Sequence, residues 1–293
     1  MAILACLLWS TAFVGIKIGL PYTTPLQFAG IRFFISGLMI LPFAGNPLKN
    51  GMIIRKNLKI VLLVALLNTL VQYTLFYLGI SMVPAALAAI VIGSGPLFIA
   101  ITSHFMMTDD RINATRLFIF LLGFGGIVLV SIGRNSFTTV EEVGILGVIL
   151  LVFVNVSSGI GNVVVSRDAG QVPPLVVSST SMILGGGSLF LISLPLEGYQ
   201  SQPKPAEYYL SLLWLSFLSA AAFSIWFSLL KRPGVKVSDL NFWKFLIPVT
   251  GAVLAWIILP DEKPGVIAIS GMGIIALSLI LLNVYKRRME RRN

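Results

Sequence analysis

Arg32 and Lys244 are cations set well inside apolar runs of this 293-residue chain. Arg32 lies seven residues past Pro25, about 10 Å along a helix at ~1.5 Å per residue, and Lys244 lies comparably far into its own run from the opposite face. A cation at such depth costs at least ~2.5 kcal/mol on insertion scales, so it faces a wet cavity or an acceptor, or snorkels to headgroups. No Asp or Glu lies deep in any apolar run, which removes the obvious internal ion-pair partner. Two explanations remain. Either Arg32 or Lys244 makes a charge-assisted hydrogen bond to an anionic group of a cargo, such as a carboxylate, or both snorkel. Lys17, three residues from the end of its run, is read as snorkelling.

Uncharged polar and aromatic side chains recur at helical spacing nearby. Asn68, Gln72, Tyr73 and Tyr77 mostly share one face of a helix. Asn155, Ser158, Gly159 and Asn162 form a second stripe, and Ser216, Ser219, Ser224 and Trp226 thread a third run. A polar stripe is costly in lipid, so these faces should meet the interior. There they either line a cavity, with rings stacking on cargo and amides fixing its polar end, or act as packing glue between helices. Trp9 has the same two readings, as a stacking surface or an ordinary apolar contact. The candidate substrate contacts are therefore Arg32, Gln72, Tyr73, Asn155, Asn162, Trp226, Lys244 and Trp9.

Pro96 and Pro248 occupy equivalent places in two similar stretches. An interior proline removes a backbone bond and bends its helix, so the pair reads as two hinges or as two static bends. The acidic pairs that follow, Asp109 with Asp110 and Asp261 with Glu262, could latch to loop cations, but the sequence favours solvated loop charges. Cys6 is the one cysteine and His104 the one histidine, so no intrachain disulfide, metal cluster or cofactor is expected. His104 sits in the last turn of its run and reads as interfacial. Intramembrane Asp, Glu or His commonly carry ion coupling, and their scarcity favours a facilitator or exchanger driven by the cargo gradient. It also weighs against export of organic cations.

The elements that must position these residues are apolar runs at about 2–20, 25–44, 58–78, 84–107, 114–133, 144–165, 173–196, 208–230, 238–259 and 264–285, each near the ~20 residues that cross a bilayer. Hydrophobic residues make up 57% of the chain, charged residues only 11%, and mean hydropathy is +0.94, which excludes a soluble domain. The net charge of +10 could suggest nucleic acid. Most of its Lys and Arg sit in short loops beside apolar runs, however, so the positive-inside rule accounts for them and no nucleic-acid partner is expected. With a cytoplasmic N-terminus, fifteen of these cations lie inside and four outside, which predicts that both termini are cytoplasmic. The first run starts at Met1 without a basic leader, so a cleaved signal peptide is not expected.

Stretches 83–111 and 235–263 match at a constant offset of 152: Val83 on Val235, Pro96 on Pro248, Ala100 on Ala252, Asp109 on Asp261, Asp110 on Glu262 and Arg111 on Lys263. Each half holds an odd number of runs, so the second half enters from the opposite side and the repeat is inverted. These paired stretches, each followed by a glycine-bearing run (Gly123, Gly125, Gly126; Gly271, Gly273), and the opening Leu7-Leu8-Trp9-Ser10-Thr11-Ala12-Phe13 resemble the two copies of the EamA domain of the drug/metabolite transporter superfamily.

The resemblance covers nearly the whole chain. It implies an all-α integral membrane fold of ten transmembrane helices as two inverted five-helix repeats, at 1–135 and 140–285, with a basic cytoplasmic tail at 286–293. The implied function is an inner-membrane secondary transporter that exports or exchanges small metabolites by alternating access, amino acids or related carboxylate compounds being the first expectation. A sugar or nucleotide-derivative carrier is the alternative. The expected partners are a small-molecule substrate and the lipid bilayer, with the chain a monomer or weak homodimer. An integral-membrane transferase would need nucleophile, base or metal groups gathered at one membrane face, which this composition does not offer.

Overall fold

Helix starts follow the prolines. Pro25, Pro47 and Pro174 each stand in a first turn, where the missing N–H is not needed and the fixed φ suits the helix. A computed structural model describes residues 1–83, 85–134, 145–199, 203–258 and 265–290, and every regular element among them is helical. The first half comprises α1 (Ala2–Gly19), α2 (Pro25–Ile40), a short α3 (Pro47–Lys56), α4 (Leu58–Ala65) and α5 (Gln72–Ile80) joined by a π turn at Leu66–Val71, α6 (Ala85–Gly93), α7 (Gly95–Met106) and α8 (Ala114–Arg134). The second half comprises α9 (Ile145–Arg167), α10 (Pro174–Glu197), α11 (Ala206–Leu230), α12 (Val237–Phe242), a 3-10 turn at Trp243–Phe245, α13 (Leu246–Ile258) and α14 (Val266–Glu290).

Nine helical stretches of the described residues are long and apolar enough to cross a bilayer. The ninth expected run, seen as α12, the 3-10 turn and α13, is not among them. The acidic pair Asp261 and Glu262, with Lys263, Arg291 and Arg292, lies outside the described residues. The connection after α2 is not the simple loop the sequence suggested: it holds α3, capped by Asn46, whose Oδ1 accepts from the Leu48 and Lys49 N–H groups at 2.9 and 3.3 Å.

Packing survives an exchange of the halves. α2 lies along α10 and α8 along α14; α1 packs on α11 as α5 packs on α9; α13 packs on α1 as α6 and α7 pack on α9. Small residues permit the closest crossings, as expected where helices associate without a hydrophobic drive between them. A Cβ on Gly126 would stand 2.7 Å from Gly271 O, and one on Gly271 2.6 Å from Gly126 O. A Cβ on Gly186 would stand 2.5 Å from Phe34 N on α2. The α2 N-terminus is capped from its neighbour: Glu197 of α10 accepts from the Leu26 and Gln27 N–H groups at 3.0 and 3.1 Å, satisfying first-turn donors that have no partner in their own helix.

Gly271→Ala forces apart two backbones in contact and should cost about 1–3 kcal/mol, as overpacking does. Gly273, where an added Cβ would meet nothing within 4 Å, is the control. Thermal unfolding in detergent should show a lower midpoint for Gly271→Ala and no loss for Gly273→Ala.

Candidate functional site

A cavity of about 300 Å³ lies between the halves, at the size of a small-metabolite site. Arg32, Gln72, Tyr73, Asn155, Asn162, Trp226, Lys244 and Trp9 all line it, and so do Pro96 and Pro248. Arg32 therefore faces the interior rather than lipid. Lys17 is exposed.

The π turn helps aim the third span. It widens the helix at Leu66–Val71, and Asn68, Gln72, Tyr73, Phe76 and Tyr77 in and beyond it line the cavity. Arg32 is only 4% exposed, with its guanidinium carbon 4.3 Å from the Phe33 ring centroid and 5.7 Å from that of Tyr73. Its Nε and Nη1, and Nδ2 of Asn68, are buried with no hydrogen-bond partner among the described residues. Lys244 Nζ lies 4.9 Å from the Trp226 ring centroid and 5.5 Å from that of Trp9. Between the two cations runs an aromatic wall: Phe223 stands edge-on to Phe33 and to Trp9, and Trp9 edge-on to Trp226.

The two asparagines of the sixth span are committed to protein partners. Asn155 Nδ2 donates to Val91 O at 2.6 Å and to Ser94 Oγ at 3.2 Å. Asn162 Oδ1 accepts from Trp226 Nε1 at 3.0 Å and from Asn241 Nδ2 at 3.2 Å, and its Nδ2 donates to Ser158 O at 2.7 Å. Asn162, Trp226 and Asn241 thus form a polar floor. Of the serines expected in the eighth span only Ser219 lines the cavity; Ser216 O instead accepts from Ser36 Oγ at 2.9 Å.

Below the floor the halves are tied by charge, which corrects the expectation that the first acidic pair is solvated. Asp109 is exposed, but Asp110 is fully buried. Arg116 Nη2 lies 3.0 Å from Asp110 Oδ1 and 2.7 Å from Asp239 Oδ1, the Ser238 N–H donates to Asp110 Oδ2 at 2.7 Å, and Lys286 Nζ lies 3.2 Å from Asp239 Oδ2. Ser238 and Asp239 open α12, where carboxylates satisfy free N–H groups. Nearby, His104 Nδ1 accepts from the Ile112 N–H at 3.0 Å, and Lys231 donates to the carbonyls of Ala169 and Val172. Burial pushes the Lys231 ammonium below its ordinary range. The sequence missed this network because a loop acid looks the same whether solvated or buried. Asp239 three residues past Lys236, at the mouth of an apolar run, was the available signal.

The profile of the EamA-like transporter family matches residues 1–132 and 145–284. The chain belongs to that family. It is 25% identical to "Uncharacterized transporter YvbV" of Bacillus subtilis (strain 168), over 97% of this chain and 90% of that one. It is also 25% identical to "Probable amino-acid metabolite efflux pump" of Escherichia coli (strain K12), over 97% of this chain and 92% of that one. A solved structure described as "Crystal structure of protein" superposes with a TM-score of 0.82 at 21% identity, covering 99% of this chain and 97% of that one, and shares the fold. This EamA-like transporter is thus a multi-pass membrane protein.

Removing one partner of a buried ion pair strands the other, at about 3 kcal/mol. Asp110→Asn should therefore lower the unfolding midpoint in detergent strongly, while Asp109→Asn should leave it unchanged.

Proposed function

We propose that this EamA-like transporter exports or exchanges amino acids or related carboxylate-bearing metabolites across the inner membrane by alternating access, with no catalytic chemistry of its own. The observation that carries this is the set of unmet donors in the cavity. Arg32 Nε and Nη1 and Asn68 Nδ2 are buried without acceptors among the described residues. Among those residues no ion pair engages Arg32 or Lys244. Buried donors left unmet cost free energy, and a carboxylate supplies the missing acceptors. The amino-acid efflux named for the Escherichia coli relative supports the same class.

In this reading Arg32 takes the carboxylate, Gln72 and Tyr73 flank it, and Trp9 and Trp226 stack on the rest of the cargo while Lys244 sets the charge of the floor. Asn162 holds Trp226 in place. The broken ninth run, α12 to α13, is a tenth crossing, and the two halves are inverted five-helix repeats, a reading supported by the exchangeable packing. The fifteen-to-four charge bias puts both termini and the Asp110 network in the cytoplasm. The conformation is then closed inside: α7 packs on α12 there, while α6 packs on α8 and α9, and α13 on α1.

Counterflow in proteoliposomes, guided by a thermal-shift screen of amino acids, organic acids, nucleotide derivatives and sugars, tests the proposal. Arg32→Gln should abolish flux of a carboxylate cargo with the protein still folded in detergent; undiminished flux would remove Arg32 from the site. Pro96→Ala and Pro248→Ala should slow exchange with little change in cargo affinity, and parental exchange rates in both would count against hinges. Exclusive response to phosphorylated or neutral sugars would replace the carboxylate reading.

A further inference from the structure

The two proline spans share one irregularity at one register. In the fourth span the Ser94 N–H is shared between Ile90 O at 3.0 Å and Val91 O at 3.2 Å; in the ninth the Leu246 N–H is shared between Lys244 O and Trp243 O. Each includes an i to i+3 bond placed just ahead of its proline, and the residues correspond: Val91 with Trp243, Ser94 with Leu246, Pro96 with Pro248, all 152 apart. A carbonyl in a tightened turn can accept from a donor outside the helix, and Val91 O does so while also accepting from Ser94 Oγ at 2.5 Å.

In both spans that donor comes from the other half. Asn155 Nδ2, on α9, donates to Val91 O at 2.6 Å, and Cys6 Sγ, on α1, donates to Trp243 O at 3.3 Å. α9 is the first helix of the second half and α1 the first of the first half, so donors and acceptors trade places together. The two bonds are unequal in kind. An amide N–H at 2.6 Å is a strong donor with a second contact at Ser94 Oγ, whereas a thiol is a weak one. Both Asn155 and Cys6 are buried.

We propose that Asn155 and Cys6 are matched clasps that hold the bends of the fourth and ninth spans, and that the weaker thiol clasp makes the ninth span the easier of the two to rebend. They are positioning residues: neither needs to touch cargo. The kinetic consequence rests on the alternating-access reading, but the state of the bends does not.

Backbone hydrogen exchange, read by mass spectrometry on the full-length protein in detergent without cargo, separates the two. In the parent, peptides across 243–250 should exchange faster than those across 91–98. Asn155→Ala should raise exchange across 91–98 by about fivefold, the loss of one hydrogen bond. Cys6→Ser, which installs a stronger donor at the same carbonyl, should slow exchange across 243–250, and Cys6→Ala should speed it. In proteoliposomes Asn155→Ala should change the maximal exchange rate while half-saturation stays within about twofold. Unchanged hydrogen exchange across 91–98 in Asn155→Ala, or Cys6→Ser and Cys6→Ala behaving alike, would overturn the clasps. A raised half-saturation with unaltered hydrogen exchange would overturn them too, making Asn155 a cargo contact. A protein that shows the hydrogen-exchange pattern but carries no cargo retains the clasps and loses only the transport reading.

Discussion

A guanidinium with open donors cannot rest against acyl chains, and the rest of this structure is arranged around that constraint. Among the described residues Arg32 is held inside by ring faces rather than by an acid, so its charge is oriented but not neutralised there. Lys244 is treated the same way by Trp9 and Trp226. Aromatic faces favour a cation without consuming its hydrogen bonds, which leaves those bonds for whatever enters the cavity. A carboxylate in the same place would have stabilised each cation better and blocked it.

Asp110 and Asp239 stand instead at one end of the bundle. Asp110 and Asp239 share Arg116, and the tie crosses from one half to the other. A charge network of this kind is strong where water is excluded and weak once water enters, because the dielectric around it changes. The glycine crossings have the opposite character, since backbone contact is insensitive to wetting and admits no intermediate spacing.

Much of this was legible in the sequence, and the parts that were not share a cause. Run lengths marked the spans because hydrocarbon thickness fixes them, and the offset of 152 exposed the repeat because the prolines and acids fall in register. Arg32, Lys244 and the amide stripes were found because polar groups in apolar runs have few places to go. What escaped depends on the third dimension. The commitment of Asn155 to Val91 O and of Asn162 to Trp226 and Asn241 requires knowing which helices touch. The burial of Asp110, one residue from exposed Asp109, depends on where Ser238 arrives from 128 residues away. The ninth run read as one helix, because a 3-10 turn over Trp243–Phe245 has no distinct composition.

The crossing of α8 with α14 at Gly126 and Gly271, and that of α2 with α10 at Gly186, each join a helix of one half to a helix of the other with no side chain between the backbones. The α2 and α10 backbones also approach at Gly30, where a Cβ would stand 2.6 Å from Phe190 N, and at Gly37, where one would stand 2.7 Å from Ser179 O. Contacts at several places along one crossing fix its angle as well as its spacing. The two halves are thereby registered against one another by backbone, with no side chain whose rotamer could absorb a slip.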